Sequence, residues 1–217
     1  MKKFAAWLLY LWLVPILAIA TEESLNYQLV TPPVPTLSQL PGRVEVVEMF
    51  WYGCPHCLHF EPILSTWVQH RPANVDFIRI PAIFQDAWEP LARAFYTAEV
   101  LGILDRIHDP LFQAVQVQHR KLDSDETLRT FFVEQGVTAE NFDRVFRSFG
   151  VETRVRRAKD LSRRYGIDGV PSIIVNGTYR TSGTLTGGLE KIPPVIDALI
   201  QKESAAVLAP VSAPPIP

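Results

Sequence analysis

From Arg43 to Tyr52 the chain runs almost unbroken through apolar side chains: Val44, Val46, Val47, Met49, Phe50 and Trp51. A continuous run of this length predicts a strand covered on both faces. The spacing then changes. From Pro55 onward Cys57, Phe60, Leu64, Trp67 and Val68 recur near helical intervals, with Pro62 expected to kink the helix. Val75–Ile80 returns to a strand pattern, completing a β-α-β unit whose crossover helix starts at two cysteines.

Between about Gln85 and Tyr165 only the helical period is present. Trp88, Leu91, Ala92, Phe95 and Tyr96 form one stripe. Leu128, Phe131 and Phe132 form another behind an Asp123-Ser124 cap, and Val145, Phe146 and Phe149 a third. Strands return at Ser172–Val175 and Thr178–Arg180, separated by Asn176-Gly177, a strong hairpin signal. Pro193-Pro194 can open a last helix, expected to end near Lys202. The order β-α-β, helical block, β-β-α predicts an α/β domain interrupted by an all-helical insertion. Expected boundaries are 42–84 and 166–203 for the two parts of the α/β domain and 85–165 for the insertion.

The ends read differently. Lys2-Lys3, the apolar run Phe4–Ala20 and the Ala18-Ile19-Ala20 triplet predict a cleavable signal peptide over residues 1–20. An uncleaved membrane anchor is the competing reading, although the run contains Pro15 and is short for a spanning helix. Residues 21–41, with Pro32, Pro33, Pro35 and Pro41, predict an extended lead-in with little regular structure. Residues 204–217 predict a disordered tail rich in proline and alanine.

Composition narrows the function. With 47% hydrophobic and 20% charged residues, the 217-residue chain is too apolar for a disordered protein. A formal net charge of −2 gives no electrostatic case for nucleic acid. Two cysteines cannot make a disulfide-stapled scaffold or a four-cysteine zinc site. An export signal, in turn, places the pair in an oxidising compartment such as the bacterial periplasm.

The pair is Cys54-Pro55-His56-Cys57, at the strand-to-helix junction. A helix N-terminus favours a thiolate over a thiol, and His56 can add a cation or a hydrogen bond. Pro55 fits the first turn, where its missing N–H costs nothing. The spacing lets both sulfurs meet within one turn, so a disulfide can form and reopen with little chain movement. Cys54 is then the exposed nucleophile and Cys57 the inward resolving thiol. Other readings compete. A zinc or copper site would have to recruit His56, His59 or His70, and a bridge over so short a loop adds little stability as a structural element. Haem attachment requires a histidine where Leu58 stands. Glu48 interrupts the apolar strand six residues before Cys54. It either sits buried below the site and exchanges protons with Cys57, or faces water. The basic run Arg154–Arg164 reads as a solvated helix face, and His108, His119, Trp67 and Trp88 as structural.

Val46 through Cys57, followed by His59-Phe60-Glu61, resembles the DsbA family of periplasmic thiol:disulfide oxidoreductases. A second match lies far downstream: Gly169-Val170-Pro171-Ser172 resembles that family's cis-proline loop, and Asn176-Gly177 the hairpin after it. The resemblance spans roughly Pro41–Lys202. Leu58 in place of an aromatic, Pro62, and the proline-rich tail depart from the family pattern.

This resemblance implies a thioredoxin-like fold with a helical domain inserted, acting without a bound cofactor or metal. Its implied activity is donation of the Cys54–Cys57 disulfide to reduced, unfolded exported proteins through a mixed disulfide at Cys54. It also implies a monomer, reoxidation by a DsbB-like membrane quinone-linked partner, and Arg79 as the partner of Glu48. On sequence alone Pro171 would be an ordinary trans proline opening a strand; the resemblance makes it cis, with the Val170 backbone facing the client. Trp51 and Tyr52, beside the motif, either line the client groove or simply pack. A disulfide isomerase or reductase and, from a different class, a metal-carrying binding module remain the alternatives.

Overall fold

The computed structural model describes residues 26–38 and 42–208. The expected signal peptide, residues 1–20, lies outside them. The long apolar run forms β2 (Val44–Phe50), preceded in the chain by a short β1 (Gln28–Leu29). Helix α1 (Pro55–His70) and strand β3 (Val75–Pro81) complete the β-α-β unit, and α1 is continuous through Pro62. Five helices follow without a strand: α2 (Glu89–Val100), α3 (Leu104–Phe112, ending in a π-turn), α4 (Asp125–Glu134), α5 (Ala139–Phe146) and α6 (Phe149–Arg164). Then come β4 (Ser172–Val175), β5 (Tyr179–Ser182), the single turn α7 (Gly183–Thr186) and α8 (Ile192–Leu208).

The strands form one sheet in the order β1-β5-β4-β2-β3. β2 pairs parallel with β3 and antiparallel with β4, so the strand that leads to the cysteines lies inside the sheet. Every residue of β2 is buried, which is why its sequence does not alternate. On one face Val44, Val46 and Ile173 pack with Phe60 and Leu64 of α1 and Ile196 and Leu199 of α8. On the other, Val47, Met49 and Ile174 share a core with Phe95, Phe112 and Val155 of the helices between β3 and β4. Three of those helices, α4, α5 and α6, start on side-chain caps: Ser124, Thr138 and Ser148 each accept from the backbone N–H three residues on.

Three expectations need correction. Phe149 does not share a stripe with Val145 and Phe146: the helix breaks after Phe146, and Phe149 opens α6 behind the Ser148 cap, exposed to solvent. The lead-in is not free of regular structure: β1 adds to β5, and the Val30 and Val34 amides donate to Thr178 and Gly177 carbonyls at 2.8 and 2.9 Å. Gly177, at φ +63°, leaves the space that the Val34 carbonyl occupies, and a side chain there would collide with it. The last helix also does not stop near Lys202 but continues to Leu208, through a stretch of good helix formers that meets no proline until Pro210. Residues 204–208 are thus helical, and the rest of the expected tail lies outside the described residues.

Candidate active site

β2 delivers the chain into the turn Trp51-Tyr52-Gly53, and Cys54 caps α1. The Cys54 amide donates to the Trp51 carbonyl at 3.0 Å, and the Cys57 and Leu58 amides close the first helical turn on the Cys54 carbonyl at 3.1 and 3.3 Å. Pro55 occupies the first helical position, where no N–H is required. Both cysteines are free thiols; Cys54 is half-buried and Cys57 completely buried. Pro55 and His56 are exposed beside Cys54.

The two thiols have opposite electrostatics. The Cys54 pKa is lowered to about 6, first by the Cys57 thiol donating to it and then, against burial, by the amides of Cys57 and His56 and the His56 charge. Burial pushes the Cys57 thiol far up, and a charge on Cys54 or Glu48 pushes it further. One contact works against the Cys54 thiolate. The Cys54 Sγ–H donates to the Val170 carbonyl at 3.3 Å, a bond only the protonated form can make.

Val170 belongs to the loop before β4, and the Val170–Pro171 peptide bond is cis. Pro171 is buried, while Val170 is half-exposed against Cys54. An open groove of about 460 Å³ runs past this contact, lined by His56, Asp168, Val170, Pro171, Thr184 and Leu189. It offers mostly backbone and short side chains. That suits an extended polypeptide better than a compact ligand.

Beneath the cysteines lies a buried polar line. Glu48 is fully buried and opposite Arg79 in the β2–β3 register, with Arg79 Nε donating to Glu48 Oε2 at 3.0 Å. The same guanidinium donates to Glu61 Oε2 on α1 at 2.9 Å. Glu61 Oε1 faces His108 Nε2 at 3.2 Å, and His108 Nδ1 meets the Tyr52 hydroxyl at 2.8 Å. The sequence points to Glu48 and Arg79, whereas on it His108 reads as a structural histidine and Glu61 has no role of its own. The available signal was the carboxyl one turn after Cys57 on the same helix.

Residues 77–190 match the DSBA-like thioredoxin domain family, a stretch that begins downstream of the cysteine pair. The thiol:disulfide interchange protein DsbA of Pseudomonas syringae pathovar tomato is 39% identical over 188 residues, covering 87% of each chain. That of Pseudomonas aeruginosa is 41% identical over 181 residues, covering 83% of this chain and 85% of its own. Alignments this long within 217 residues necessarily include Cys54–Cys57. The chain belongs to the DsbA family. It is a protein thiol:disulfide oxidoreductase with that family's thioredoxin-like fold. The crystal structure of Pseudomonas aeruginosa DsbA matches with a TM-score of 0.80 at 38% identity, over 85% of this chain and 95% of that one. The oxidoreductase DsbA from Xylella fastidiosa matches with a TM-score of 0.76 at 32% identity, over 82% and 95%.

The remaining candidates separate around this DsbA-family centre. Trp51 is half-buried and stacks on Trp88 with ring centroids 4.0 Å apart and planes 2° from parallel. Trp88 therefore belongs to the surface of the site rather than to a deep core. Its other aromatic partner is Phe84 at 5.0 Å, which is 41% exposed, and its remaining contacts are with the edge of the core. Gly53 is required here, because the Trp51 ring fills the place of a side chain at that position. Tyr52 is fully buried, so of its two readings packing holds and a client-facing one does not. Along α6 the basic residues point outward, with Arg154 paired to Glu99 and Lys159 to Asp86. Among the described residues, no group of three or more His, Cys, Asp or Glu side chains is placed to hold a metal ion, and no helix is long and apolar enough to cross a membrane.

Proposed function

We propose that this DsbA-family chain works in the bacterial periplasm as a monomeric dithiol oxidase for reduced, unfolded exported proteins. The observation that carries the direction of transfer is the contrast between the two thiols: a half-exposed Cys54 with pKa about 6 and a buried Cys57 pushed far up. A client thiolate attacks Cys54 Sγ, the Cys54–Cys57 bond breaks, and the electron pair leaves on Cys57, which takes up a proton. A second client thiolate then attacks the client sulfur of the mixed disulfide and expels Cys54 as a thiolate. Two electrons have passed to the enzyme, and the client holds a disulfide. The low Cys54 pKa favours that last departure and stabilises the reduced enzyme, so transfer runs toward client oxidation.

Glu48 is the proton source for Cys57, since its buried carboxyl is pushed up to about 8, by burial first and Glu61 second. The Val170 backbone and Pro171 hold an extended client against Cys54, and Trp51, braced by Trp88, borders it. Residues 42–84 and 166–203, extended by β1 and by the end of α8 to Leu208, make the thioredoxin-like domain, and 85–165 the insertion. Reoxidation passes to a DsbB-like membrane partner linked to quinone. The test uses reduced, unfolded ribonuclease as client. Oxidised enzyme restores ribonuclease activity, Cys54→Ser is inactive, and Cys57→Ala whose Cys54 has first been converted to a mixed disulfide with thionitrobenzoate accumulates a covalent client adduct under non-reducing electrophoresis, the client thiolate displacing thionitrobenzoate. Absence of any adduct with Cys57→Ala, or adducts at Cys57 in the Cys54 variant, overturns the assignment.

A further inference from the structure

His108 comes from α3, within the helices between β3 and β4, yet it completes the polar line below the cysteines. Its imidazole is 6% exposed, walled in edge-on by Phe50 at 5.3 Å, Phe112 at 5.2 Å and Phe95 at 6.2 Å. Both ring nitrogens are nonetheless partnered, by Glu61 and by Tyr52. An ionised carboxylate only accepts, so the hydrogen lies on Nε2 and points at Glu61. Nδ1 then accepts from the Tyr52 hydroxyl, which fixes the tautomer.

The line contains two carboxyls and one guanidinium. In a buried site the favoured arrangement is electrically balanced, with one carboxyl ionised against Arg79 and the other holding a proton. The donors are divided unequally. Glu61 accepts from Arg79 through one oxygen and from His108 through the other. Glu48 accepts only from Arg79, and its Oε1 is buried without a partner. The other titratable groups facing the line are Cys57, toward Glu48, and Asp109, toward Tyr52.

We propose that His108 is a positioning residue of the redox centre: its Nε2–H holds the negative charge of the carboxyl pair on Glu61 and thereby keeps the pair's proton on Glu48, beside Cys57. The use of that proton rests on the role proposed above for Glu48; its placement does not. The electrostatics of the two carboxyls agree with this division. Burial raises Glu61, but the His108 hydrogen bond together with the charge and hydrogen bond of Arg79 holds Glu61 below its ordinary value. Glu48, with one donor and complete burial, goes the other way.

The experiment is a ¹³C carboxyl NMR titration of the oxidised full chain, comparing the wild type with His108→Phe, His108→Gln and Tyr52→Phe. Phenylalanine suits the aromatic walls and removes the N–H; glutamine restores an N–H toward Glu61. In the wild type Glu48 titrates near 8, well above Glu61. In His108→Phe the two midpoints move toward each other, Glu48 falling and Glu61 rising by about one unit or more, tenfold in proton affinity. His108→Gln returns them toward the wild type, and Tyr52→Phe gives a smaller shift of the same sign. Unchanged midpoints in folded His108→Phe overturn the proposal. Should that variant not fold, unchanged midpoints in Tyr52→Phe overturn it instead. A separate readout, the pH profile of Cys57 release in Glu48→Gln, tests whether the proton is used; if that profile matches the wild type while the His108 shifts occur, the donor role of Glu48 fails and the placement by His108 stands.

Discussion

Cys54 Sγ lies 3.3 Å from the carbonyl oxygen of Val170, a residue 116 positions further along the chain. The contact joins the two distant motifs into one site and sets up a competition at the sulfur. The carbonyl favours the thiol, while the start of α1, His56 and Cys57 favour the thiolate. The thiolate wins near neutrality. The Cys54 thiolate absorbance in the reduced protein should therefore titrate with a midpoint near 6, well below the ordinary value of 9.0. Because the Cys57 thiol makes the largest lowering contribution, Cys57→Ala, which removes the donor, should raise the midpoint, and His56→Leu should raise it less. A midpoint unmoved by Cys57→Ala would contradict this ranking.

The same depressed pKa makes the stability of the reduced protein depend on pH. Cys54 titrates near 9.0 when unfolded and near 6 when folded, so its contribution is fully present above about 9 and is lost as pH falls through 6. Reduced wild type should exceed reduced Cys54→Ser in Tm at alkaline pH, with the gap closing between pH 9 and about 5. A gap that stays constant or widens on acidification would refute the thiolate as its source.

Glu48 should behave with the opposite sign. Its folded pKa is raised from 4.5 to about 8, so the stability it confers is full below 4.5 and is lost as pH rises through 8. Glu48→Gln removes the titration. Its Tm relative to the wild type should increase steadily from pH 4.5 to 8. A difference independent of pH would mean that the carboxyl is not buried in the folded protein.

Gly53→Ala should act on the Trp51–Trp88 stack. The added methyl meets the indole of Trp51, which must move, and overpacking of this kind costs about 1–3 kcal/mol. The expected signature is a changed near-ultraviolet circular dichroism of the two stacked indoles, with the secondary structure retained. An unaltered spectrum and stability would show that the stack is not held in this arrangement.

Much of this centre is readable from local sequence because local physics builds it. The continuous apolar run of β2, the proline at the first turn of α1 and the two-residue cysteine spacing each act within a few residues. What escaped the sequence is assembled at a distance. His108 reaches Glu61 across 47 residues and Tyr52 across 56, and nothing beside any of the three marks the others. β1 was hidden for a related reason: its two residues form a strand only because β5 presents an edge about 150 positions away. Trp88 reads as one member of an apolar stripe, yet its face is claimed by Trp51 from another element. In α8 composition misled, since alanine beside prolines suggests a tail although alanine is the best helix former.

The direction of electron transfer is the central claim, and the reduction potential of Cys54–Cys57, measured against glutathione at neutral pH, tests it most directly. An acidic, half-exposed Cys54 paired with a buried Cys57 requires a strongly oxidising couple, in the range of about −120 mV known for DsbA. A potential near the −270 mV or so of thioredoxin would make the chain a reductant and contradict the account.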